Sequence, residues 1–442
     1  MQRKKKRAPT KTSKRRRKTQ KPPPLTPYLV IAGAVLVHIT FLLSLHTGFL
    51  DPLFNDSTHR LPRGMDFFAV YQKAHEFSTG GSLYTDVDYQ DVGSLVVPHC
   101  APHYRYLPSW GWFMSSTFCL LDAENAYWLW VVLCELMLLV CLWMFLRRSD
   151  NLTTRAGLCV VWLCFSPYYL ELFVGQFTFM AIGLITLALL AFADGRERRG
   201  SIWLTISIAL KYVGGILLVP LLLRRRRRNV LAIIVVIVLI GAMYFIPNPD
   251  DWKLFTGVAT YGTPNQLHAG NLGLQGLLGN VIKLLPDASR DGVMGNALRL
   301  ILLKALPATL ILFLIWVTWR NRSSNDLIPI CLLWPTVYFL AGTDVFEHHY
   351  VILLPVFAFA WLRRPSPWLL LLYVWIALPT IFAFVDVDGL PKQRFVEVEK
   401  IWWQQEQYAR IFLYHLWKIV PATWLFVWLF RLIEKPSARV AE

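Results

Sequence analysis

Charge is scarce in this chain, and acid is scarcer still: 17% of its 442 residues are charged, and 28 Asp and Glu face 45 Lys and Arg. Soluble domains carry nearer about 25% charged residues, so a water-covered globular surface is excluded for most of the length. Cysteine is sparse too. The seven present are an odd set with no CxxC pair, and Cys119, Cys134, Cys141, Cys159, Cys164 and Cys331 lie in or beside apolar runs. There a thiol acts as a small packing group, so neither a disulfide framework nor a cysteine metal site is expected. No small-residue cleavage site follows the long first apolar run, which argues against a cleaved signal peptide. Nor is there an obvious internal repeat, which weighs against a transporter built from matching halves.

Apolar residues fill the chain instead: 55% is hydrophobic, with 19 Trp, 27 Phe and 17 Tyr. Runs at 27–45, 107–121, 126–146, 156–174, 177–193, 201–223, 230–247, 300–319, 327–341, 350–362, 368–384 and 411–432 approach the ~20 residues that cross a bilayer. The expected fold is an all-α, polytopic integral membrane protein with about 10 to 12 transmembrane helices, some of them re-entrant. Residues 1–26 read as a basic, disordered cytoplasmic tail, since twelve Lys and Arg and no acid precede Pro22. Residues 27–433 form the membrane domain, with outer loops at 46–106 and 248–299, and 434–442 form a cytoplasmic C-terminal tail.

The net charge of +17 is confined to connecting segments, so topology explains it and no nucleic-acid partner is expected. Arg147, Arg148 and Arg155, Arg196 to Arg199, Arg224 to Arg228, Arg320 and Arg322, and Arg363 and Arg364 all favour the cytoplasmic face. They reach it together only if two runs fail to cross: 107–121 as a re-entrant or surface helix, and 201–223 as a hairpin bent at Lys211 and Gly214–Gly215. A plain twelve-span topology differs only between 122 and 200, and Asp66 is external in both. The run Arg224 to Arg228 reads as an anchor on anionic membrane lipids, at about 1 kcal/mol per cation.

Two readings of Asp66, in GMDFFAVYQKAH, stay open. It is a general base for a lipid-carried substrate, or it is the N-cap of an amphipathic interfacial helix. Lys211, within an apolar run, meets an anionic ligand or pairs with Glu135 or Glu171. By themselves Tyr71, Tyr104 and Tyr106 fit the aromatic belt, and Gln176 and Asn271 fit caps and packing. His348 and His349 contact phosphate or sugar as imidazolium, or are ordinary interfacial histidines. Asp86 with Asp88, Asp386 with Asp388, and His99, Cys100 and His103 are weak metal patterns, and no metal or cofactor is expected.

Taken in order, DFFAVYQKA (66–74), TGGSLY (79–84), YRYLP (104–108), GQFTF (175–179), Lys211, GNLGLQGLL (270–278) and HHYVILLP (348–355) resemble glycosyltransferase family 87. The chain departs from that pattern at Thr178, where Asn is frequent, at Tyr212, where Pro is, and at Leu272-Gly273, where Gln-Ser is. The resemblance implies the C-type glycosyltransferase fold and polyprenyl-phosphate-mannose-dependent transfer. Asp66 is then the base in the first external loop, Arg105, Lys211, His348 and His349 are the cations facing the lipid phosphate, Tyr71, Tyr104 and Tyr106 stack on sugar or flank the acceptor, and Gln176 and Asn271 hydrogen-bond sugar hydroxyls. Inversion at the anomeric carbon needs one carboxylate, where a glycosyl-enzyme needs two close together. The implied activity is hexose transfer, mannose first, from a polyprenyl-phosphate sugar to an extracytoplasmic lipid-linked or envelope glycan. A bacterial inner membrane with both termini cytoplasmic is the expected location. The rivals are a flippase of polyprenyl-linked sugars and an inactive partner of the same fold.

Overall fold

The computed structural model describes residues 25–54, 63–84, 104–260, 271–283, 292–323, 326–342, 345–379 and 408–434, and every regular element among them is helical. Six helices are long and apolar enough to cross a membrane: Thr26–Thr47, Ala123–Leu146, Leu152–Val174, Arg227–Phe245, Val293–Arg320 and His415–Ile433. Four shorter apolar helices, Thr178–Ala193, Tyr212–Leu223, Ile328–Ala341 and Pro367–Ala377, pack with them. Local sequence explains the breaks. Ser166-Pro167 starts a new helix after Leu163, because Pro lacks the N–H that would continue the first one. Further along, Asp122 and Asn151 cap their helices by accepting backbone N–H groups of Asn125 and Thr153.

Ion pairs gather the basic connections at one end. Arg148 grips Asp194 with bonds of 2.7 and 2.8 Å, and Arg226 meets Glu197 at 2.6 Å. Arg224 donates to the Asp326 carbonyl at 2.7 Å, and Arg363 pairs with the Asp326 carboxylate. The Arg226–Glu197 contact decides the path of the chain between them. Helix Glu197–Leu210 leaves this end and breaks at Lys211, whose φ of −150° and ψ of 126° are extended. A 3-10 turn, Tyr212–Leu217, and a short helix, Leu218–Leu223, then bring the chain back to the same end. Residues 197–226 are therefore a hairpin with Lys211 near its tip. The preceding helix Thr178–Ala193, 16 residues or roughly 24 Å long, puts Thr178 at that tip and Asp194 at the basic end.

The run at 107–121 contains a nine-residue helix, Pro108–Ser116, and a 3-10 turn, Phe118–Leu120, each too short to cross. Beneath it lies helix Met65–Ser78. The sequence suggests an interfacial helix here, but Phe67 and Ala74 are wholly buried. Phe67 meets Phe118, Tyr127 and Phe177 with ring centroids 5.7, 5.9 and 6.2 Å apart. One face of this helix is thus packed into the protein, while His75 and Ser78 stay exposed.

Further along, the 3-10 segment Glu347–Leu353 carries both histidines and is tied to the C-terminal helix Tyr408–Glu434. Lys418, wholly buried on that helix, reaches Glu347 at 3.1 Å and donates to the carbonyls of Ile376 and Leu378, each at 2.6 Å. Three acceptors satisfy the three N–H bonds of an ammonium.

Single thiols introduced at Arg196 and Arg225 are expected to react with an impermeant maleimide from the same side of sealed vesicles. Labelling from opposite sides would make 197–226 a crossing.

Candidate functional site

Two glycines set the position of Asp66. Gly64, at φ +74°, precedes helix Met65–Ser78, and its N–H donates to the Phe173 carbonyl at 2.7 Å. Gly175, at φ +75°, ends helix Ser166–Val174, and a Cβ there would stand 2.6 Å from Phe67 Cβ and 3.2 Å from Gly64 Cα. The left-handed conformation and the close approach both require glycine. Because these backbones touch, the first turn of Met65–Ser78 lies against the turn at 175–178. The N-cap is Gly64, with Asp66 inside the first turn, so the capping role considered for Asp66 is corrected. At that place the helix dipole still favours a negative charge.

Gln176 lies between an acid and a base. Its Nε2 donates to Asp66 Oδ2, and its Oε1 accepts from Lys211 Nζ at 2.8 Å. Only one orientation of the amide serves both neighbours. Lys211 also donates to Thr178 Oγ1 at 2.7 Å, so the departure from the family pattern at 178 supplies an acceptor for the lysine. Of the two acids considered as partners of Lys211, Glu135 is engaged elsewhere, by His38 at 2.7 Å and Tyr168 at 2.8 Å. Glu171 is wholly buried and within electrostatic reach of Lys211, and its Oε1 accepts the Phe179 N–H at 2.6 Å.

Tyr106 closes one side. Its ring packs edge-on to Phe177 with centroids 5.3 Å apart, and its hydroxyl stands 3.5 Å from Gln176 Oε1. Desolvation and then the Asp66 carboxylate raise its phenol well above its ordinary value, with Arg105 opposing. Arg105 is half-buried beside it. Tyr71 is not brought to this group. It lies five residues beyond Asp66, on another face of the helix, and its hydroxyl donates to the Leu121 carbonyl at 2.7 Å.

Asn271, His348 and His349 form an adjoining wall. Asn271 Oδ1 accepts the N–H groups of Gly273 at 3.1 Å and Val345 at 3.3 Å. The Leu272 N–H donates to the Val345 carbonyl at 2.6 Å. Asn271 is thus a clasp between two segments, which is the capping role weighed for it. A Cβ at Gly273 would approach Val345 Cγ2 to 2.8 Å, so the second departure suits this close contact.

Both histidines are buried, and the imidazolium reading is corrected. Burial and then the Lys211 ammonium push His348 down to about 3; burial, His348 and Lys211 push His349 well below 6.5. His349 Nδ1 accepts the Phe346 N–H at 3.0 Å, which leaves the proton of the neutral ring on Nε2. Lys211 and Arg105 are then the cations of the site, and the histidines are neutral donors or acceptors. Among the described residues no cluster of three or more His, Cys, Asp or Glu is placed to hold a metal. Asp86, Asp88, His99, Cys100, His103, Asp386 and Asp388 lie outside the described residues.

An acid and an ammonium joined by one amide, at the tip of a hairpin in a helical membrane protein, form a site suited to proton abstraction beside an anion. The sequence profile of glycosyltransferase family 87 matches residues 104–343, more than half of the chain. The chain belongs to glycosyltransferase family 87. It is a membrane glycosyltransferase, acting on a sugar donor and an acceptor. No curated protein matches it significantly. The profile spans Arg105, Tyr106, Gln176, Lys211 and Asn271 of this family member; Asp66, Tyr71, His348 and His349 fall outside the matched residues.

No role for Gln275, Glu347 or Lys418 was read from the sequence. Lys418 stands inside an apolar run, as Lys211 does, and the same signal marks it.

Two outcomes follow. Gly175→Ala is expected to lower the thermal midpoint in detergent, since a left-handed residue with a Cβ costs about 1–2 kcal/mol before its clash with Phe67 is counted. Acidification is also destabilising: below about 6.5 the unfolded histidines take up protons that buried His348 and His349 refuse. Stability is full above 6.5 and falls toward 3, by up to about 1.4 kcal/mol per pH unit for each histidine. Thermal midpoints from pH 7 to pH 4 should drop in wild type and flatten in His348→Gln/His349→Gln.

Proposed function

We propose that this family 87 enzyme transfers a hexose, mannose in the first instance, from a polyprenyl-phosphate sugar to a hydroxyl of a lipid-linked or envelope glycan, with inversion. The observation that carries this reading is the Asp66–Gln176–Lys211 chain of hydrogen bonds. In it a carboxylate able to take a proton and an ammonium able to meet a leaving phosphate are held one amide apart.

Asp66 removes the proton from the acceptor hydroxyl as its oxygen bonds to the anomeric carbon. The bond from that carbon to the phosphate oxygen breaks on the opposite face, and the electron pair leaves with the polyprenyl phosphate. Lys211, with Arg105 near it, opposes the charge that develops there, in surroundings dry enough to strengthen the attraction. Gln176 orients the carboxylate through Oδ2, while Tyr106 covers the amide. This chemistry requires no metal, because the phosphate ester leaves readily when paired with cations. The reaction is placed on the face opposite the arginine-rich connections, which are assigned to the cytoplasm together with both termini, in a bacterial plasma membrane. Lipid tails take the apolar surface between the helices.

Purified protein is to be given polyprenyl-phosphate mannose and a glycan acceptor. Asp66→Asn is expected to reduce turnover about 10²- to 10⁴-fold while donor binding is kept. Lys211→Met is expected to weaken donor binding instead. Full turnover by Asp66→Asn would remove the base, and wild type inert with every polyprenyl-phosphate sugar would remove the donor class.

A further inference from the structure

Gln275, in the first turn of helix Leu274–Lys283, is wholly buried, and among the described residues neither Oε1 nor Nε2 has a hydrogen-bond partner. An amide carries two N–H donors and a two-lone-pair acceptor. Leaving them unpaired away from water is destabilising by an amount comparable to several ordinary hydrogen bonds, which is why such groups are few in native proteins. The contrast with Gln176, whose amide is used at both ends, is direct.

A second such group lies on the neighbouring segment. His348 is 5% exposed, and its Nε2 also lacks a partner. Three bonds lay the two segments side by side: Leu272 N–H to the Val345 carbonyl at 2.6 Å, Val345 N–H to Asn271 Oδ1 at 3.3 Å, and the Tyr350 hydroxyl to the Leu272 carbonyl at 3.1 Å. Gln275 follows this clasp within one helical turn, and His348 follows it by three residues. His348 also feels the Lys211 ammonium, so it lies near the cation assigned to the donor phosphate.

We propose that Gln275 and His348 form the face that binds the donor's hexose ring, the Gln275 amide pairing with two adjacent sugar hydroxyls and His348 Nε2 with a third. Chemistry selects this ligand. A side-chain amide donates and accepts side by side, and a vicinal diol does the same in the complementary sense. A phosphate only accepts, and it would leave the amide oxygen unpaired. The neutral state of His348 fits a hydroxyl partner better than an anion. An apolar residue of the same volume would serve the packing better, so the polar groups are retained for something that binds.

The inference rests on the polyprenyl-phosphate donor, and the experiment separates the two. Wild type and Gln275→Met, purified full length, are followed by thermal unfolding alone, with polyprenyl phosphate, and with polyprenyl-phosphate mannose. Gln275→Met should match or exceed wild type without ligand, because it removes an unpaired polar group. It should keep the stabilisation by polyprenyl phosphate and lose the increment that the sugar adds, and in transfer assays its KM for the sugar lipid should rise about tenfold or more. His348→Ala should lose part of the same increment. A variant that retains the whole sugar increment overturns the inference alone, and so does a ligand-free Gln275→Met less stable than wild type, since the amide would then be paired within the protein. Absence of any response by wild type to either lipid overturns the donor and the inference together.

Discussion

An ammonium inside an apolar layer has to end on acceptors, and the position of Lys211 follows from that requirement. The lysine sits where the 197–226 hairpin abandons helical geometry, so its amine meets Gln176 and Thr178 at the end of the neighbouring helix. The hairpin keeps its depth because Arg226 and Glu197 hold its two ends together. If those ends parted, the lysine would move along the membrane normal, away from Gln176 and hence from Asp66. The chemistry at one face thus depends on an ion pair at the other.

The polar residues of the site divide between those that support and those that act. Asn271 Oδ1 is engaged by backbone, Lys418 by backbone and Glu347, and these contacts fix the segments that carry the rest. Gly64 and Gly175 do the same for Asp66 by allowing two backbones to touch. Buried Lys418 finds an acceptor for each of its N–H bonds, as expected of a charge removed from water. Asp66, Lys211 and Arg105, to which the proposed reaction assigns its chemistry, are less enclosed.

Much of this was legible in the sequence, and the reasons differ by residue. The helical class followed from apolar run length, and the hairpin was one of the two topologies that the arginine clusters left open. Lys211 was visible as a cation in an apolar run. Its partner was not, because whether it meets Glu135, Glu171 or an amide depends on rotations between helices that no one-dimensional pattern records. The histidines were misjudged for a related reason: their charge is set by burial and by a lysine more than a hundred residues earlier. Tyr71 looked equivalent to Tyr106 as an aromatic near the loop, yet its place in the helical turn points it elsewhere. Gln275 lay in a quoted motif, but its lack of partners is a property of packing alone.

Lys418 gives the site a schedule. The segment holding His348 and His349 is secured by an amine that emerges from the ribosome some seventy residues later, on the last described helix. Until that helix enters the bundle, Glu347 and the carbonyls at the end of Pro367–Ala377 await their cation. The wall beside the site is therefore finished only when the last described helix arrives, so a nascent chain still held at the insertion machinery does not yet present the complete site.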